Sequence, residues 1–525
     1  MIQQIDHLAL LPAYLAAGTA VLVFLTDLVV ARRGAILAAA AIGATATGVG
    51  AGWVGTGPDR PTFCADGVGC SYAGDGTGAV VAVLFAALTL GVLGLSAPAL
   101  RAGAVPAGEY CFLLACSMTG GVVLGHAGDL ITLVVALETL TLPLFLLVGL
   151  RRTTLASADG ALTFFIVSVV ATAVTLLGVA LLYAATGAVH FGPLAAALAD
   201  PGGIEHAVAL TPGGAQTRLI ALAVTLVLVG LAFKVAAVPF HAWAPAAYDG
   251  APVPVAAYLS TASKLGGVVA ILYVAVDALR PRLDVAGPVL AALAVLTMTV
   301  GNLVALRQRR MVRLLAWSSV AQAGYILAPL GAFAAATGRT EQALTLAVAA
   351  AVAYTIFYVL LDLGAFGAVV ALRPADGDGG AIADYRGAAR RRPWVAAALV
   401  LALVGLAGLP PGLAGLFAKV VVVRSLLGGG AGWLAVVVAL NAVVGLAYYV
   451  RVAAVLFASP AAAPSPAAPA APTATPTEPA EPARGRVHWA VAAALGAATV
   501  AALVVGFAPQ LVLDAASLVG FAAPR

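Results

Sequence analysis

Lys234, Lys264 and Lys419 are the three lysines of this 525-residue chain, and each stands inside a long apolar stretch. The other members of its 27 Lys and Arg residues are arginines, most of them in short polar segments. An ammonium placed in hydrocarbon costs about 3 kcal/mol or more, so lysines kept there face a polar or wet interior and act in it. The chemistry these residues offer is the movement of charge. Glu138 lies in the middle of another apolar run, within Val135-Ala136-Leu137-Glu138-Thr139-Leu140. A buried carboxylate on its own takes up a proton, whereas a neighbouring ammonium keeps it charged. If Glu138 reaches Lys234, opening the pair lets a desolvated amine pass its proton onward, and closing it restores the charge. The competing reading is a static ion pair that glues helices together, but so many separate mid-membrane charges exceed what packing needs.

Smaller groups surround these four. Beside Lys264, in Tyr258-Leu259-Ser260-Thr261-Ala262-Ser263-Lys264, the hydroxyls of Ser260, Thr261 and Ser263 hold water or bond across helices. Gly266 and Gly267 then admit close backbone approach. Asp362, in Leu360-Leu361-Asp362-Leu363-Gly364, either pairs with a lysine or belongs to an outlet. His241 either passes protons inward or caps a helix end at the membrane border. Asp27 near Arg32, and His126 and Asp129 at span ends, read as local hydrogen-bonding groups.

The elements that must position these residues are membrane helices. Hydrophobic residues make up 62% of the chain, charged residues 9%, and the mean hydropathy is +1.06, which excludes an ordinary soluble domain. A bilayer-spanning helix needs roughly 20 apolar residues. Apolar runs near 9–31, 35–54, 79–98, 106–126, 128–150, 160–185, 218–240, 251–279, 286–306, 312–333, 341–372, 394–427, 431–456 and 488–512 predict an all-α polytopic membrane protein of about fourteen spans. Two spans read as discontinuous. In the seventh, Lys234 precedes Pro239; in the twelfth, Gly408-Leu409-Pro410-Pro411-Gly412 precedes Lys419. A break at Pro or Gly frees carbonyls, which is tolerable at membrane depth only beside protein or water. Such breaks beside ionisable residues mark ion sites in transporters built from repeats, and the spacing suggests two inverted five-helix repeats. The chain divides accordingly into 1–105, the first repeat at 106–280, the second at 281–456, a Pro/Ala-rich linker at 457–487 and a last helix at 488–525.

Arginine bias sets orientation. Arg32, Arg33, Arg101, Arg151, Arg152, Arg307, Arg309, Arg310, Arg313, Arg373, Arg386, Arg390, Arg391, Arg392, Arg484 and Arg486 fall in alternate loops. By the positive-inside rule those loops and the linker are cytoplasmic and both termini lie outside, in a bacterial plasma membrane. The formal charge of +5 is therefore a topology signal, and no nucleic-acid partner is expected. The first apolar run lacks a basic leader and is long enough to remain as a span. Cys64 and Cys70 share an outer loop, where an oxidising environment would permit a disulfide, while Cys111 and Cys116 read as packing residues. The four cysteines lack zinc or iron–sulfur spacing, so no metal and no cofactor is expected in this chain. Gly50, Gly52 and Gly55 match a dinucleotide fingerprint without the strand that it requires, and no lysine completes a phosphate-binding loop.

With these residues placed, the chain resembles the antiporter-like membrane subunits of respiratory complex I, the proton-translocating NADH:quinone oxidoreductase. The most specific stretch runs from Phe240-His241-Ala242-Trp243-Ala244-Pro245 through Tyr248-Asp249-Gly250-Ala251-Pro252-Val253-Pro254-Val255 to Ser260-Thr261-Ala262-Ser263-Lys264. Gly301-Asn302, Ala316-Trp317-Ser318-Ser319, Leu363-Gly364-Ala365-Phe366 and Leu406-Ala407-Gly408-Leu409-Pro410 extend it. The resemblance implies proton transfer by Glu138, Lys234, Lys264 and Lys419. It places flavin mononucleotide, iron–sulfur clusters and quinone in partner membrane and peripheral subunits. Lysine at 419, with the chain ending at Arg525, favours the N-type branch. Relatives often have histidine where this chain has Gln322; an amide does not exchange protons near neutral pH, so here it would orient water. A subunit of a multisubunit cation/proton antiporter, or an L-type complex I subunit, is the alternative.

Overall fold

The computed structural model describes residues 5–65, 67–151, 154–199, 214–373, 379–459 and 486–518. The Pro/Ala-rich linker lies almost wholly outside the described residues, as do Arg152 and Arg484. Among the described residues, twelve helices are long and apolar enough to cross a membrane: Leu11–Val29, Arg33–Gly55, Gly76–Ala102, Ala107–Gly125, Leu130–Val148, Leu155–Thr186, Thr217–Lys234, Val253–Ala278, Arg280–Ala305, Glu341–Leu372, Gly432–Phe457 and Trp489–Phe507. Two expected spans fall short of that length for visible reasons. Met311–Leu327 tightens into a 3-10 segment, Ala328–Ala334, and the twelfth span is split into Pro393–Ala407 and Leu413–Gly428. With them the expected number of spans is present.

Local chemistry sets the ends of these helices. Asp129 begins the fifth span by accepting hydrogen bonds from the Ile131 and Thr132 N–H groups, both 2.7 Å. Asp75 caps the third through the Gly78 N–H at 2.7 Å. Outward faces carry exposed Val21, Phe24, Leu28, Val436, Leu440 and Val443, a surface made for lipid rather than water. The eighth span, Val253–Ala278, is the most enclosed of the twelve. It is not a uniform α-helix: Leu259–Ser263 and Tyr273–Ala278 are π-helical, on either side of the α-helical Lys264–Leu272.

Both expected discontinuities are present in the backbone. The seventh span stops at Lys234, earlier than Pro239 alone would place it. Ala236 adopts a left-handed conformation (φ 57°), and a short helix, Trp243–Gly250, follows. In the twelfth span Gly408 takes φ 82° and helix resumes at Leu413.

One element adds to the helical class. Arg60–Ala65 and Gly69–Gly74 form an antiparallel hairpin between spans two and three, with Cys64 opposite Cys70 and the two bonded as a disulfide. Cys111 and Cys116 are unbonded, Cys111 fully buried in the fourth span. Gly50, Gly52 and Gly55 lie within the helix Arg33–Gly55, so the fingerprint spacing has no strand before it.

Candidate functional site

Three polar clusters lie along the interior, each centred on one lysine. The first joins spans five, six and seven. Lys234, at the last residue of its helix, donates to Glu138 Oε1 at 2.7 Å and to Thr141 at 3.2 Å, with Ser168 at 3.5 Å. Thr172 donates to the same Glu138 oxygen at 2.7 Å. The lysine side chain is 5% exposed and the glutamate 24%, so the pair is buried on one side and opens toward the surface on the other.

The second cluster surrounds Lys264 on the eighth span. Its ammonium donates to Ser319 Oγ at 2.6 Å and to the Ser319 carbonyl, and it stands 5.4 Å from the centre of the Tyr358 ring. Ser319 Oγ also meets Tyr358 OH at 2.8 Å and Tyr248 OH at 3.4 Å. Tyr358 OH lies 3.0 Å from Ser260 Oγ and 3.3 Å from Asp362 Oδ2, which Ser260 also contacts. Ser263 is buried nearby, yet no side-chain hydrogen bond among the described residues joins it to Lys264 or Asp362. Ser260 stands four residues before Lys264 and so shares its helix face, whereas Ser263, immediately before it, lies on another side; the turn Leu259–Ser263 between them is π-helical.

The third cluster belongs to Lys419. The ammonium is held by the carbonyls of Ala407 and of Leu406, the latter at 3.2 Å, and lies 5.0 Å from the centre of the Tyr325 ring. The helix break at Gly408 to Gly412 is what turns those carbonyls free. Gly408 must be glycine twice over, for its positive φ and because a Cβ there would sit 2.6 Å from Lys419 Cδ. Gln322 Nε2 donates to the same Leu406 carbonyl at 3.1 Å and to Tyr449 OH at 3.1 Å, while Tyr354 donates to Gln322 Oε1 at 2.6 Å.

Clusters two and three adjoin through consecutive residues: Ser319 holds Lys264, and Ser318 meets Tyr449, which Gln322 contacts. Between Lys234 and Lys264 no direct hydrogen bond among the described residues closes the gap. There the approach is of backbone to backbone: a Cβ on Gly267, one turn beyond Lys264, would lie 2.9 Å from the Lys234 carbonyl carbon.

Other candidates sit apart. His241 is half-buried against Trp317, with ring centres 5.1 Å apart, and touches none of the lysines. Burial holds its imidazole below the ordinary value, opposed by a hydrogen bond with Pro239, and so favours the neutral ring. His126 stacks on Tyr72 at 4.8 Å. Sequence reading missed Thr141, Ser168, Thr172 and the five buried tyrosines of these clusters, 248, 325, 354, 358 and 449. One signal was available: Tyr354, Tyr358 and Asp362 recur every four residues and so share one helix face. Among the described residues no group of His, Cys, Asp and Glu is arranged to hold a metal ion.

Comparison with known proteins agrees with this architecture. The family model for "NADH:quinone oxidoreductase/Mrp antiporter, TM" matches residues 127–445, which hold Glu138 and all three lysines. NADH-quinone oxidoreductase subunit N of Salinispora tropica is 66% identical over 98% of this chain and 99% of its own. Subunit N 2 of Streptomyces griseus is 45% identical over 88% and 85%. Among solved structures, a chain of respiratory complex I from Thermus thermophilus with bound aureothin aligns with TM-score 0.71 and 30% identity, over 96% of this chain and 98% of that one. A chain of the Mrp complex from Dietzia sp. shares the fold, with TM-score 0.76 at 23% identity, over 99% and 97%. On the family match and these identities, the chain belongs to the family of NADH:quinone oxidoreductase and Mrp antiporter membrane subunits.

Proposed function

We propose that this chain is a proton-translocating membrane subunit of a bacterial NADH:quinone oxidoreductase, coupled to quinone reduction elsewhere in the assembly. The observation that carries the reading is the 2.7 Å ion pair between Glu138 and Lys234, at one end of a row of buried groups that continues through Lys264 to Lys419. A charge pair in a membrane interior is a switch: closed, each partner cancels the other's desolvation cost; opened, the ammonium is left uncompensated and its proton is driven onward. Lys264 receives that push across the Gly267 contact, and the hydroxyls and Gln322 lead on to Lys419. The chain itself carries no redox centre. Flavin, iron–sulfur clusters and quinone belong to partner subunits, and residues 106–280 and 281–456 act as the two inverted repeats. The arginine-rich loops face the cytoplasm of a plasma membrane, which puts both termini and the Cys64–Cys70 hairpin outside, where a disulfide persists.

The test is purification followed by substitution. The intact assembly is expected to carry flavin and iron–sulfur absorbance and to oxidise NADH; an assembly lacking both would be a cation/proton antiporter. In proteoliposomes, Lys264→Ala is expected to abolish pumping while the complex still assembles. Wild-type pumping by that variant removes Lys264 from the path.

A further inference from the structure

The fully buried carboxyl of Asp362 has one satisfied oxygen and one that is not. Oδ2 accepts from Ser260 and, at 3.3 Å, from Tyr358; Oδ1 has no hydrogen-bond partner among the described residues. A buried polar atom left without a partner costs about 1–3 kcal/mol and calls for a reason. The reason is visible across the cluster. Asp362 and Lys264 form no direct ion pair, yet each is one hydroxyl away from the same two side chains: Ser319 holds the ammonium, Tyr358 holds the carboxyl, and the two hydroxyls meet at 2.8 Å. A third hydroxyl, on Ser260, bridges Tyr358 and the carboxyl a second time.

We propose that Asp362 is the proton-accepting partner of Lys264, reached through a hydroxyl relay of Ser319 and Tyr358 with Ser260 alongside. This rests on the proton-translocation reading above and deepens it. The step balances without any further reactant. The Lys264 ammonium gives a proton to Ser319 Oγ, Ser319 passes its own to Tyr358 OH, and Tyr358 passes its own to the Asp362 carboxylate. The products are a neutral amine and a neutral acid, each hydroxyl regaining the proton it gave. Reversal restores both charges. Direct contact would trap the ion pair, whereas a relay keeps the charges apart and lets the neutral state compete. All of these groups lie on three elements that pack together: span eight, with Ser260 on its π-helical turn and Lys264 just after it, span ten (Met311–Leu327) and span eleven (Glu341–Leu372). The polar groups facing Asp362 are Ser260, Tyr358 and, beyond them, Ser319, Tyr248 and Lys264.

The experiment uses the intact complex in proteoliposomes, comparing proton uptake per NADH oxidised. Asp362→Asn keeps the shape but takes no proton, and pumping is expected to fall about 100-fold, the scale of a lost acid–base group. Asp362→Glu is expected to restore pumping in part, and Tyr358→Phe, which keeps the ring over Lys264, to slow it. Infrared difference spectra during turnover are expected to show the carbonyl band of a protonated carboxylic acid, absent in Asp362→Asn and shifted in Asp362→Glu. A purely structural aspartate would give no such band. Wild-type pumping by Asp362→Asn overturns the proposal while leaving the wider reading intact if Lys264→Ala still abolishes pumping. Should Asp362→Asn fail to assemble, Tyr358→Phe decides: wild-type pumping with no slowing overturns the relay.

Discussion

The Lys234 and Lys419 sites occupy corresponding places beside the two broken helices, and they solve the same electrostatic problem with different materials. Lys234 is compensated by a full opposite charge, Glu138, at 2.7 Å. Among the described residues Lys419 has no carboxylate in contact, and it is compensated by carbonyl dipoles that the break at Gly408 releases. The position relative to the break also differs: Lys234 ends the helix before its break, and Lys419 lies within the helix after its own. A counter-ion can swing away and leave its partner strongly uncompensated, so the first site suits switching. Backbone carbonyls cannot leave, so the second holds a cation at steadier energy and suits storage or release toward the surface. Lys419 is accordingly half-buried while Lys234 is almost completely enclosed.

Substitutions can break or sharpen this contrast. The largest effect is expected from Glu138→Gln, which strands the Lys234 ammonium. Removing one member of a buried pair costs about 3–5 kcal/mol, and the partial exposure of Glu138 reduces this to roughly 2 kcal/mol. The double variant Glu138→Gln with Lys234→Met is expected to recover most of the loss in thermal stability of the purified complex. Equal losses in single and double variants would mean that no pair operates there. Gly408→Ala is expected next, at about 1–2 kcal/mol for the left-handed backbone alone, with further loss as Lys419 is pushed from its carbonyls. Lys419→Met strands no charge, so it is expected to cost only about 1 kcal/mol of stability while lowering pumping strongly. A stability loss as large as that of Glu138→Gln would mean that Lys419, like Lys234, depends on a partner charge.

The smallest effect lies outside the membrane. The Ala9 N–H, helped by Arg60 and the Leu8 N–H against the opposing effect of burial, holds the Asp6 carboxyl below its ordinary value. Its contribution is therefore present above pH about 4 and is lost as the pH falls through the lowered value. Faster amide exchange at Leu8 and Ala9 on acidification, unchanged with pH in Asp6→Asn beyond intrinsic exchange, is the expected outcome.

Much of this was legible because a bilayer is an unforgiving solvent. Long apolar runs have no alternative to helix, so the number of spans follows from composition and punctuation, and a lysine inside such a run announces itself. The breaks near Pro239 and at Pro410-Pro411 were equally open to reading, since proline removes a donor and blocks the preceding turn. The hairpin at Arg60–Ala65 and Gly69–Gly74 was not, because six-residue strands with mixed polarity carry a weak periodic signal.

The amino-acid order alone determined which charges are buried and on which helices they ride. Only the tertiary structure decided their partners: that Lys234 meets Glu138, that Lys264 is held by Ser319 rather than by an acid, and that Asp362 lies one relay away. The physical reason is that burial follows from the apolar neighbours along the chain, whereas a hydrogen bond depends on which residue a distant helix presents at the same depth. The π-helical turn Leu259–Ser263 just before Lys264 is likewise a feature of the folded helix that local sequence does not announce.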